Sequence, residues 1–200
     1  MCVKKLTRKE EMQLTRRTIL KEAQILFMQK GYKSTSTREI AQQSKITQPA
    51  LYHHFKDKET LYIEVIRELT SNVKKELDEI LKKETDPEAK LSSMILTLID
   101  LHPTNIMLMI HDILNEMQPE NQYLLFQLSQ DTYSRPFDDF FTEMQEKGLL
   151  RPEVSARAAA KFVVTSISPL FNGNQKFAAK TPMSEQVREL TNFMLHGVFN

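Results

Sequence analysis

The sequence predicts an all-α fold. Leu, Met, Glu, Lys, Gln and Ala are frequent among its 200 residues, and these are the residue types that lose least on entering a helix. Only four glycines occur, and no run alternates β-branched and polar residues as a half-buried strand would. Apolar residues instead recur at the spacing of helix faces, and prolines and glycines punctuate them into about nine helices.

The first helix is predicted over residues from about 11 to 30, because Ile19, Ala23, Leu26, Phe27 and Lys30 fall at helical spacing and Gly31 follows as a stop. Ser36 and Glu39 have the spacing of a capping box and start a short helix that carries Ile40 and Ala41 inward. That helix ends near Ser44, since Thr47 caps a second start at once. Pro49 is tolerated only in a first turn, where its missing N–H costs nothing, so Gln48 to His54 forms a helix of about two turns. Asp57 then caps a long helix whose apolar stripe is Tyr62, Ile66, Leu69, Val73, Leu77 and Ile80. Beyond the polar break around Pro87, helices are expected at about 87–101, 104–117, 120–147, 154–171 and 183–198. Pro136 should kink or split the third of these.

The net charge of +1 conceals an asymmetry: residues 1–58 carry +8 and the remainder −7. A basic head on an acidic body points to a polyanionic partner for the head. Three parts are expected: a head over 1–56, a connecting helix over 57–82 and a larger body over 83–200. No run of about 18 apolar residues is present, so no membrane partner is expected. The charged N-terminus has no apolar stretch behind it, and the single cysteine, Cys2, cannot form an internal disulfide. A cytoplasmic location is therefore expected.

Two short helices joined by a tight turn and pinned by a preceding helix make a helix-turn-helix. Leu51 and Phe55 share the inner face of the second helix, against Ile40, Ala41 and Ile46. Its outer face offers Gln48, Pro49, Ala50 and His53 to a groove. Adjacent His53 and His54 point apart on a helix, with no carboxylate or cysteine to complete a set, so no metal and no other cofactor is expected.

The stretch "STREIAQQSKITQPALYHHFKDKETL" resembles the DNA-binding motif of the TetR family of transcriptional regulators, over residues from about 14 to 66. The resemblance implies that Arg38, Gln48, Pro49 and Ala50 approach base edges, and His53 is added from its place on the outer face. It also implies that Thr37, Tyr52, His54 and Lys58 grip phosphates, with Thr47 beside them at the helix start. Those roles suit the side chains: Arg reads guanine and Gln reads adenine, while hydroxyl, imidazole and ammonium groups suit phosphate. One departure stands out. The family has glycine in the turn where this chain has Lys45, which is expected to sit in an αL-like or an adjusted turn, the former at about 1 kcal/mol of strain.

By the same resemblance the body is a helical ligand-binding and dimerisation domain. A homodimer on a palindromic double-stranded operator is expected, since one two-turn helix reads too few bases. Small and branched residues allowing close approach, Ala156, Ala159, Ala160, Val163 and Ile167, mark one helix as a dimer candidate, with Leu190, Phe193 and Met194 on the other. Candidate ligand residues are Met94, Leu98, Met107, Phe126, Tyr133 and Phe137, with His102 and His111 as polar partners. Asn105, Asp112 and Gln127 are further polar groups amid apolar stretches. No phosphate-cradling glycine loop and no His-Glu-x-x-His or Glu-x-x-His pair occurs, so no enzyme is expected. The expected function is a repressor released by a small, largely apolar effector; the alternative is a DNA-binding architectural protein that takes no ligand.

Overall fold

A computed structural model describes residues 7–101, 106–167, 170 and 181–196. Among the described residues all regular structure is helical. The helices are α1 (Arg8–Ser34), α2 (Thr37–Gln43), α3 (Gln48–His54), α4 (Lys58–Lys83), α5 (Pro87–Leu101), α6 (Ile106–Glu116), α7 (Pro119–Ser129), α8 (Arg135–Glu146), α9 (Ala156–Ile167) and α10 (Met183–His196). A π-helical turn, Gln130–Ser134, joins α7 to α8 without a break. Counted as continuous rods, the helices number nine among the described residues.

Local chemistry sets the boundaries. α1 begins a turn earlier than its apolar pattern suggests, because Thr7 and Glu10 form a reciprocal capping box. Helical backbone stops at Gly31, which has φ 81° and ψ 170°; a last turn to Ser34 follows it. A Cβ on Gly31 would lie 3.1 Å from Leu108 of α6, so the position needs glycine for both its backbone and its space. Thr35 then ties the break, its hydroxyl donating to the Gly31 carbonyl at 2.8 Å. Asp57 caps α4, accepting the Thr60 N–H at 2.7 Å, and this hydrogen bond holds the Asp57 carboxyl below its ordinary value.

The expected kink at Pro136 is resolved differently. A proline cannot donate to the carbonyl four residues back, and its ring collides with that group. Widening the preceding turn, with the Arg135 N–H bonded to the Gln130 carbonyl, lets one rod pass through.

The chain divides into two compact units. The first comprises Met1–Glu68 with Met107–Leu125, so most of α6 and α7 belongs with the head. Phe27, Tyr32 and Tyr62 interlock there, with Tyr62 edge-on to Phe27 at 4.9 Å and to Tyr32 at 5.3 Å. The second comprises Leu69–Ile106 with Phe126–Asn200, around a core of Leu91, Met94, Ile95, Leu98, Phe137, Phe140 and Val163. Lys90 is buried in it, donating to the Leu81 carbonyl and to Glu143, each at 3.3 Å, so its charge stays paired.

The α2–α3 turn carries the one non-glycine residue with positive φ among the described residues, Lys45 at φ 57°. Of the αL-like and adjusted turns expected at Lys45, the αL-like one is present. Lys45→Gly is expected to raise the stability of the first unit by about 1 kcal/mol or less, the relieved strain being partly offset by a freer unfolded chain. Urea titration followed by circular dichroism measures it; a loss of stability would mean that the turn carries no strain.

Candidate nucleic-acid interface

α3 is held from beneath by complete burial. Leu51 and Phe55 are 0% and 2% exposed, and Ile40 and Ala41 of α2 are buried opposite them. The Arg16 guanidinium of α1 lies 4.3 Å over the Phe55 ring and pairs with Glu64 of α4 at 2.8 Å. Thr47 caps α3 through the Ala50 N–H at 3.3 Å, and Pro49 sits in the first turn as its chemistry requires. These contacts fix the rotation of a two-turn helix that could not stand alone.

Fixing the inner face leaves a defined outer one. Arg38, Pro49 and His53 are exposed, Ala50 and Gln48 are half-buried, and Tyr52 is 44% exposed. His54 is half-buried, and its imidazole is held below its ordinary pKa by burial first and then by His53 and Arg16. The two imidazoles are 5.9 Å apart between ring centres and tilted by 53°.

Two residues expected to grip phosphates are engaged within the head. Thr37 is 7% exposed, and its hydroxyl meets both Gln48 and Tyr52. Lys58 folds back so that its ammonium lies 4.1 Å over the Tyr32 ring, and burial lowers its pKa while Asp112 and Glu116 oppose that.

Behind the interface lies a buried carboxylate. Asp112 of α6 is 3% exposed and accepts the Tyr32 N–H at 2.7 Å and the Tyr62 hydroxyl at 3.4 Å. Its oxygens satisfy the backbone released by the Gly31 break, and burial pushes its pKa up. Asp112 is thus part of the head's framework. Glu59, in the first turn of α4, likewise accepts from the Gln118 N–H and the Asn121 amide, at 2.9 and 2.7 Å.

The candidate ligand residues separate on folding. Met94, Leu98 and Phe137 are buried together in the second unit, with Tyr133 packed against them. Phe126 is 53% exposed, and His111 is exposed as well. His102 and the Met107 side chain lie outside the described residues.

The dimer candidates on α9 fall mostly on its inner face. Ala156, Ala160, Val163 and Ile167 point into their own subunit's core, because every fourth or third position along α9 meets α8. The outward strip carries Ala158 and Phe162, neither of them among the residues read from the sequence, with half-buried Ala159 beside them. With Phe193, Met194 and Leu149 these residues line an open groove of about 430 Å³, and Leu190 is partly buried beside the core.

Comparison with known proteins agrees with this geometry. Residues 19–65 match the family profile of bacterial regulatory proteins of the tetR family. The transcriptional regulator AcrR of Shigella flexneri is 39% identical over 93 residues, 46% of this chain but only 43% of AcrR's own length. The transcriptional repressor KstR2 of Mycolicibacterium smegmatis is 25% identical over 147 residues, 72% of each chain. The crystal structure of FadR from Bacillus subtilis with stearoyl-CoA shares the fold, with a TM-score of 0.75 at 17% identity over 92% of this chain and 99% of that one. The head, residues 19–65, is thus similar in sequence to the bacterial regulatory proteins of the tetR family, and the chain as a whole shares its fold with solved proteins of low identity.

Proposed function

We propose that the chain is a sequence-specific, DNA-binding transcriptional regulator. It acts as a homodimeric repressor on a palindromic operator and is released by a small, largely apolar effector. The observation that carries this is α3 itself: an apolar underside locked by Leu51 and Phe55, and an upper side of Pro49, Tyr52 and His53 with Arg38 beside it. Exposed arginine, amide and small apolar groups suit base edges in the major groove. Tyr52, His54, Thr47 and Lys58 flank them as phosphate donors, Lys58 by leaving the face of the Tyr32 ring for a phosphate anion.

The exposed groove on α9 and α10 suits a second copy of the chain, whose own Phe162 and Phe193 would cover it. The methionine and aromatic core around Met94, Leu98, Tyr133 and Phe137 supports an apolar effector, since methionine adapts its shape to a guest. The fold is shared with a protein crystallised with stearoyl-CoA, so long-chain acyl compounds are the first class to test. The chain passes between the two units three times, within α4, at the start of α6 and within α7. A ligand that prefers one arrangement of these helices lowers DNA affinity by its differential affinity for the two states.

The test is DNA titration at several salt concentrations, with and without stearoyl-CoA. Arg38→Ala and Gln48→Ala are expected to relax sequence preference, by roughly 1–3 kcal/mol at the base each one reads. Lys58→Ala is expected to weaken binding to all sequences alike and to reduce the salt slope by about one unit. Identical behaviour of all three variants would overturn this division of roles. DNA affinity unmoved by acyl compounds would exclude that effector class.

A further inference from the structure

Three side chains from two helices meet at one oxygen in the head. Gln48 opens α3, and its Nε2 donates to the hydroxyl of Thr37, the first residue of α2, at 3.0 Å. The Tyr52 phenol, one turn further along α3, lies 3.0 Å from the same Thr37 oxygen. Thr37 is 7% exposed and Tyr52 is 44% exposed.

Counting hydrogens gives this cluster a direction. A threonine hydroxyl has one hydrogen and two acceptor sites, and Gln48 fills one of those sites. If Tyr52 also donated to Thr37, the Thr37 hydrogen would be left over on a buried residue with no third partner among the described residues. If Thr37 donates to Tyr52, every group on the buried residue is used, and the remaining hydrogen belongs to the exposed phenol. The second arrangement is favoured. The chain then runs from the Gln48 amide to the Thr37 hydroxyl, on to the Tyr52 hydroxyl, and outward.

We propose that Thr37 is a positioning residue that couples the grip of Tyr52 on the DNA backbone to the reading of a base by Gln48. Hydrogen bonds aligned in series strengthen one another, so a phosphate accepting from Tyr52 tightens the hold of Thr37 on one Gln48 N–H. That fixes which end of the amide faces which way. The second N–H and the Oε1 carbonyl of Gln48 are left for the groove, in the donor and acceptor order that N7 and N6 of adenine require. Without the Thr37 hydroxyl the amide is free to turn over and offer the reverse order. This coupling rests on the reading of Gln48 as a base contact, and it replaces a direct phosphate contact for Thr37.

The test uses the full-length chain on the sequence it selects from a random double-stranded pool, and on that sequence with each base pair replaced in turn. Gln48→Ala is expected to abolish preference at one position. Thr37→Val is expected to reduce discrimination at that same position by roughly 2- to 10-fold, the worth of one net hydrogen bond. Thr37→Ser should retain the discrimination, and Thr37→Val should change nothing further there once Gln48 is alanine. A common loss across all sequences for Thr37→Val, or a serine variant that behaves like valine, would overturn the coupling while leaving Gln48 as a base reader. Gln48→Ala with every preference intact would instead remove the base-reading role, and the coupling with it. Should Thr37→Val fail to fold, Tyr52→Phe serves in its place. It is expected to lose discrimination at the Gln48 position in addition to uniform affinity, and uniform loss alone would overturn the coupling.

Discussion

Phe55→Ala is expected to lower the stability of the first unit by about 3–5 kcal/mol, the cost of removing a fully buried aromatic side chain, and DNA binding should fall with it. Phe55 is 2% exposed and closes the underside of α3. The Arg16 guanidinium stacks over its ring, so truncation also removes a cation–π contact of about 0.5–1 kcal/mol. A helix of seven residues has no independent stability and depends on such anchors. Urea titration followed by circular dichroism, paired with DNA titration, measures both effects. A loss below about 1 kcal/mol would be too small for a cavity of this size and would show that α3 is held by something other than its buried face.

Asp112→Leu is the second large effect. The substitution strands the buried Tyr32 N–H and Tyr62 hydroxyl, at about 1–3 kcal/mol for each donor left unpaired. Asp112→Asn keeps an acceptor and isolates the charge. Burial raises the pKa of Asp112 in the folded state above its unfolded value, so between those two values the native state binds more protons than the unfolded one. The contribution of Asp112 to stability therefore rises as pH falls through its folded pKa toward its unfolded one. Asp57, held low by the Thr60 N–H, has the opposite slope and loses its contribution on acidification. The stability of the wild type relative to Asp112→Asn should accordingly improve on lowering the pH from 7 toward about 4, the ordinary aspartate range. A difference that stays constant over that range would mean that Asp112 ionises as freely in the folded chain as in the unfolded one.

The parts of the fold legible in the sequence are those set by near neighbours. Ser36, Thr47 and Asp57 cap helices because their partners lie three residues away, and the chain states that spacing directly. The same holds for Pro49 in a first turn, whereas the left-handed backbone of Lys45 was legible only through the resemblance, which has glycine at that place. Pro136 was legible as a disturbance but not as its remedy, since whether a helix kinks or widens depends on what packs beside it. Asp112 was not legible as a framework residue. Its partner Tyr32 is 80 positions away, and only the fold brings them together. The phase of α9 was ambiguous for a different reason: small and apolar residues occupy both of its sides. The period alone does not tell Ala156, Ala160 and Val163, which face inward, from Ala158 and Phe162, which face out.

The candidate interface reads as a set of residues in the sequence and as a network in the structure. The sequence assigns Thr37, Gln48 and Tyr52 to separate contacts with DNA, whereas the structure joins them at the Thr37 hydroxyl. Lys58, assigned to phosphate, rests on an aromatic ring in the free chain. In both cases the side-chain chemistry was apparent while the partner was not, because the partners sit on different helices: Thr37 on α2 with Gln48 and Tyr52 on α3, and Lys58 on α4 with Tyr32 on α1.

The central claim is that two copies of α3 read one operator together. It is tested most directly by selecting DNA from a random double-stranded pool with the full-length chain and sequencing what is retained. The account predicts an inverted repeat whose half-site centres lie about 34–36 Å apart, one helical turn, or a multiple of it. Retained DNA with a single unpaired half-site, or with no preferred sequence, would contradict it.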